Sequence, residues 1–217
     1  MAGRARLGDA ASWTLLPGDV RQTLAPLHVD IMAQALVCGL TRVVTLHYPD
    51  TLEPFLPQPF QALAPQVDAH ALGHVGLELG DPAGERAQAW RAEIQANRRF
   101  KAGLVARFLD HLAPAEDAAG PLLDRTLVLH LAEFSNAAVH TARDLPVMLA
   151  GNLGGLRTGR HLTLSEGGRG DTVETHADYR SDWSLHNLHT SILQLFGFED
   201  EHFGDERCPR QGPLPLG

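Results

Sequence analysis

The sequence predicts an α/β domain built on a largely parallel sheet flanked by helices. Three observations lead there. Readable strands alternate with amphipathic helices along one chain, which is the pattern of a sheet covered by helices. No short Asn-Gly or Asp-Gly turn joins two strand-like runs, so hairpin signals are lacking. No internal repeat or clear linker divides the 217 residues, and a single domain, 1–217, is the economical expectation.

Taken in order, "PLHVDIMAQALVCG" carries apolar residues at helical spacing and predicts a helix over about 27–38, closed by Gly39. "TRVVTLHYP" follows as a β-branched run with strand character. "PDTLEPFLPQPFQALAPQ" holds five prolines and no sustained period, so it reads as a surface loop. "VDAHALGHVGLELGDP" is irregular. The best helix spans roughly 84–112, where Trp90, Ile94, Phe100, Leu104, Val105, Phe108 and Leu109 recur at spacings of three and four.

"LLDRTLVLHLAEF" then places a strand at about 126–132. "LPVMLAGN" gives a second at 145–152, entered through Pro146, and a short third covers 161–164. "SEGGRGDTVETHADYRSD" reads as an exposed loop. "LHNLHTSILQLFGF" is a helix with Leu188, Ile192, Leu195 and Phe196 on its apolar face, and "CPRQGPLPLG" is irregular.

Composition narrows function. Apolar residues make up 44% and charged residues 20%, ordinary for a globular chain. A net charge of −8 argues against binding nucleic acid by neutralising phosphates, and the basic residues of "RAEIQANRRFKAGLVAR" read as a solvated helix face. No apolar run reaches the ~20 residues of a membrane span. The first residues hold no signal-peptide core, so the expected compartment is cytoplasmic by default, or periplasmic within an exported assembly. Only two cysteines occur, Cys38 and Cys208, far apart in sequence, and two cannot announce a disulfide framework.

Histidine is unusually frequent: there are twelve, among them the pairs His70 with His74, His130 with His140, and His186 with His189. In "DAHALGH", Asp68, His70 and His74 supply oxygen and nitrogen donors, the two histidines four residues apart. Three such ligands and a water suit a zinc-like divalent ion. "HLAEFSNAAVH" sets Glu133 and His140 just past the end of a strand, where open α/β sheets bind ligands. Polar filler and ordinary loop chemistry compete with both readings. "GNLGGLRTG" lacks the Lys-Ser/Thr ending of a phosphate loop, so its glycines serve turns or a close backbone approach. Ser135 lies outside any "GxSxG" elbow.

The combined order is "DAHALGH", a long helix, "LLDRTLVLHLAEFSN", "LPVMLAGNLGGLRTGR" and "NLHTSILQLFGF". Over residues 25–204 it resembles the C-terminal half of the alkaline phosphatase and sulfatase superfamily. It is more closely similar to uncharacterised sulfatase-like bacterial families, whose "lDllvlALacDlTRVatl" stretch is matched by "LHVDIMAQALVCGLTRVVTLHY". The resemblance implies the later half of an alkaline-phosphatase-like fold. It sets His74, with His70 or Asp68, at the Asp-x-x-x-His ligand pair, and Glu133 at the aspartate of an Asp-His ligand dipeptide. Phe134 stands where that dipeptide has histidine. His140 is the nearest substitute, with His161 and His186 as looser candidates, and Arg143 could steady an anionic oxygen. No strand before residue 40 resembles the one that carries the superfamily's nucleophile.

Two functions follow from the resemblance, beside a purely structural domain. One is a non-catalytic or metal-binding subunit working in a complex, a homo-oligomer or hetero-complex that completes the sheet. The alternative is a metal-dependent hydrolase of phosphate or sulfate esters. Either expects Glu133, His140 and at least one of His70 and His74 to converge. Asp124 is expected to hold a turn, and Arg125 to pair at the surface.

Overall fold

A computed structural model describes residues 18–47, 73–74, 84–164, 183–204 and 212–216. The chain divides into two compact units, Met1–Leu112 and Ala113–Gly217.

In the first unit, helix α1 (Gly18–Val37) packs on helix α2 (Glu85–Leu112). Both rest on spacing. Ala25, Val29 and Ala33 are buried four residues apart on α1, and Leu104, Phe108 and Leu112 repeat that interval on α2. The small α1 stripe allows close approach, and the large α2 side chains supply apolar volume. α1 starts well before the expected residue 27 and runs through Pro26. Proline in a helix interior forfeits one backbone hydrogen bond, and here the helix continues past it.

One ion cluster joins the helices. Arg107 donates through Nε and an Nη to the two oxygens of Asp30 at 2.6 and 2.7 Å, and Nε2 of His111 lies 2.8 Å from Oδ1. These hydrogen bonds, Arg107 first and His111 second, pull the Asp30 carboxyl down to about 2. No described helix is long and apolar enough to cross a membrane.

The second unit opens with two short antiparallel strands, β1 (Glu116–Asp117) and β2 (Gly120–Pro121), and a 3-10 turn at Leu122–Arg125. Asp124 accepts from the Asn152 side chain at 2.9 Å. An Nη of Arg125 donates to Asp117 at 2.7 Å, which holds the Asp117 carboxyl below its usual value. Both residues thus fasten the turn, as expected. β3 (Val128–Leu131) then pairs with β4 (Val147–Ala150), and helix α3 (Leu185–Leu195) follows.

This arrangement corrects the expected fold class. The described residues contain two two-stranded antiparallel sheets, and no large parallel, alkaline-phosphatase-like sheet. β3 and β4 run antiparallel, with Leu129 opposite Leu149 and Leu131 opposite Val147. Residues 41–47 of "TRVVTLHYP" form no strand, and Val43 is 79% exposed. Residues 161–164 are likewise not in a strand. Among the described residues no strand lies between two neighbours, so none calls for helices on both of its faces.

The core of this unit is Leu156, Leu188, Leu214 and Leu216, joined by Leu127, Leu129, Leu149 and Ile192. One face of the β3–β4 pair and one face of α3 therefore close on the chain's last described residues. Each fully buried leucine contributes about 1.5–3 kcal/mol of transfer free energy. Gly151 and Gly154 permit the approach. A Cβ on Gly151 would overlap the carbonyl oxygen of Thr126, and one on Gly154 the Leu195 carbonyl oxygen. The glycine-rich stretch therefore serves close backbone approach, as the missing phosphate-loop ending suggested.

Candidate functional site

The loop from 132 to 146 joins β3 to β4 and carries Glu133, His140 and Arg143. Its shape comes from main-chain closure. The Ser135 amide donates to Thr141 O at 2.8 Å, and Asn136 and Thr141 form an isolated antiparallel bridge. Asn136 Oδ1 accepts from the Ala138 amide at 2.9 Å and caps the short 3-10 turn Ala137–Val139. His140 then reverses the chain in the left-handed region, at φ 51°.

Thr141 is buried, and its hydroxyl accepts from the Arg143 amide at 3.2 Å. Ser135 Oγ lies 3.0 Å from Thr141 O and is also within reach of Arg143 O. A hydroxyl has one proton, so it donates to one of these carbonyls at a time. Ser135 is therefore engaged in holding the loop shut, which is not the setting of an activated nucleophile.

The predicted site residues fall as follows. Glu133 is exposed at a bend just past β3, and Arg143 is exposed in the turn before β4. His140 is exposed, and its ring stacks on Phe134 with centroids 4.9 Å apart and planes 19° from parallel. Phe134 thus supports the imidazole by its face. His74 is half-buried in a helical pair of residues in the first unit; His70 and Asp68 lie outside the described residues. His161 is exposed.

Glu133 and His140 have the donor chemistry of a zinc-like site. Among the described residues, however, no group of three or more His, Cys, Asp or Glu side chains is placed to hold a metal ion. The described donors alone do not make up such a site.

Sequence reasoning missed a second polar cluster, around α3. Asn187, Thr190 and Ser191 are buried. Asn187 Oδ1 accepts from the Ser184 amide at 2.8 Å, and its Nδ2 donates to Gly212 O at 2.8 Å. Ser191 Oγ accepts from the Leu214 amide at 2.6 Å. These side chains bind residues 212–214 to the helix. The signal was present: Asn187 stands three residues after Ser184, the spacing of a capping box.

The same helix presents histidines to a short return segment. The His189 ring lies 5.0 Å from that of Phe203, and its Nδ1 is shielded from solvent without a hydrogen-bond partner among the described residues. The His186 ring sits beside Gly204, whose φ is +87°. Nε2 of His202 is 2.6 Å from Gly204 O. Past the helix end, Phe196, Phe198 and Phe203 are 54%, 58% and 43% exposed. Phe196, expected on the apolar face, instead caps the helix and faces solvent.

Comparison of the chain with protein families, curated proteins and solved structures gave no match.

Proposed function

We propose that the protein, related by its motifs to the sulfatase-like bacterial families, is a non-catalytic binding or assembly subunit that works in a complex. The observation that carries this reading is the exposed aromatic surface past α3, where Phe196, Phe198 and Phe203 all lie open. Scattered exposed apolar residues are normal, whereas several large rings close together in sequence mark an interaction surface. The β3–β4 sheet supports the same reading. Leu131, Val147 and Met148 are exposed at its loop end, and among the described residues neither strand has a second neighbour. The loop expected to carry the metal ligands is organised around its own main chain, with Ser135 holding it closed. A motif likeness supplies no chemistry by itself.

The test pairs native size measurement with turnover on generic phosphate and sulfate esters, with and without added zinc. The expected result is an oligomer, or a partner retained on purification, with no turnover. A monomer with zinc-dependent turnover would instead establish the hydrolase.

A further inference from the structure

We infer that the aromatic knob after α3 docks on the basic face of α2 in a second copy of this chain. This rests on the assembly reading above and specifies its surface. The knob combines Phe196 and Phe198 with the exposed acids Glu199, Asp200 and Glu201. Its backbone is defined: the Phe198 amide donates to Leu193 O at 3.1 Å, and Gln194 Nε2 donates to Asp200 O at 3.0 Å. Rings and carboxylates are therefore displayed on a fixed turn that continues the helix.

The complementary surface is on α2. Between residues 87 and 106 its exposed charges are all positive, Arg91, Arg98 and Arg99, and Glu93, the acid in that span, is buried. Arg91 and Arg98 lie two turns apart on one side with Gln95 between them, and Arg99 adjoins Arg98, so the cations with their alkyl stems gather at Arg98 and Arg99. Guanidinium groups stack on aromatic rings and pair with carboxylates. The knob offers both.

A chain of net charge −8 should repel its own copies, so self-association requires a local reversal of sign. Arg98 and Arg99 provide that reversal. Phe196 and Phe198, each a little over half exposed, leave on the order of 200 Å² of aromatic surface. That is below the ~800 Å² per partner of a stable interface, so one knob is insufficient alone. A two-fold dimer uses the contact twice, and the charges set its register. The association is accordingly weak and salt-sensitive, because the screening length falls from about 10 Å at 0.1 M salt to 3 Å at 1 M.

Sedimentation velocity on the full chain tests this, over a concentration series at low and high salt. The variants are the triple swap E199K/D200K/E201K, the double swap R98E/R99E, the two combined, and F196A/F198A. Circular dichroism checks that each is folded. The wild-type chain should dimerise at low salt, and each swap alone, like F196A/F198A, should weaken dimerisation at least tenfold. The combined swap should restore it. Dimerisation indifferent to either swap, or broken by both and not restored in combination, would refute this surface while leaving the assembly reading intact. A wild-type monomer at every concentration refutes the inference outright. If that monomer also turns over esters with zinc, the assembly reading falls with it.

Discussion

Replacing Asn187 separates the part of the second unit held by hydrogen bonds from the part held by leucines. Asn187 is 1% exposed and uses both ends of its amide: the oxygen takes the Ser184 amide, and the nitrogen gives to Gly212 O. Asn187→Ala removes these two bonds, each worth about 0.5–1.5 kcal/mol net, together with the longer 3.1 Å contact from Ser184 Oγ, a hydroxyl that can turn to solvent. It also strands two half-buried backbone groups, adding roughly 1 kcal/mol between them when water reaches them in part. The expected loss is therefore about 2–4 kcal/mol. Asn187→Asp retains an acceptor for Ser184 but has no donor for Gly212, and it sets a carboxylate in a buried position. It should cost more than alanine at neutral pH and recover part of that cost in acid. Equilibrium urea unfolding of the full chain reads the global loss, and amide exchange at Leu214 reads release of the terminal segment. A loss under 1 kcal/mol for Asn187→Ala, or aspartate tolerated better than alanine at pH 7, would show that Asn187 does not fasten residues 212–214 to α3.

Other perturbations separate local causes. Gly151→Ala drives a methyl into the Thr126 carbonyl at φ +103°, so it should cost more than 3 kcal/mol or prevent folding of the second unit. Gly155→Ala, at φ +77° with open space around it, should cost only the left-handed penalty of about 1–2 kcal/mol; equal losses in thermal melts would refute the contrast. Leu188→Ala opens the leucine core and should cost about 2–5 kcal/mol in urea unfolding, and a loss under 1 kcal/mol would mean the core collapses around it. Asp30 has its carboxyl depressed to about 2 by Arg107 and His111, so its contribution is present above the ordinary value of 3.8 and lost as pH falls towards 2. Asp30→Asn should flatten acid unfolding across that window, and a curve that superposes on the wild type would contradict it.

The helices were legible and the sheet was not, for a physical reason visible in particular residues. Helices α2 and α3 declare themselves by local spacing, and the structure places Glu85–Leu112 and Leu185–Leu195 within a few residues of the expected spans. Strand direction depends instead on what lies between strands, and here two signals carried it. The first is His130. "TLVLHLA" sets Leu127, Leu129 and Leu131 on one face and Val128 and His130 on the other, and His130 is exposed opposite Met148. A strand inside a parallel sheet is covered on both faces, whereas β3 carries an exposed histidine in mid-strand and is open from His130 to Leu131.

The second signal is the connection. A parallel return must carry the chain back along the strand, usually in a helix on the sheet face. Residues 132–146 have Ser135, Asn136 and Pro146 in place of a helical period, and they fold back on themselves through the Asn136–Thr141 bridge. β4 therefore starts where β3 ends. Glu133 and His140 still lie past the end of a strand, as read from the sequence, but that end is the head of a hairpin. In a parallel sheet several such ends would gather donors from distant parts of the chain. At the head of a hairpin the neighbours are the loop's own residues: the His140 ring stacks on Phe134, and Ser135 Oγ donates to the Thr141 or the Arg143 carbonyl. The candidate site was legible as a position, and its surroundings depended on a strand direction that local spacing does not encode.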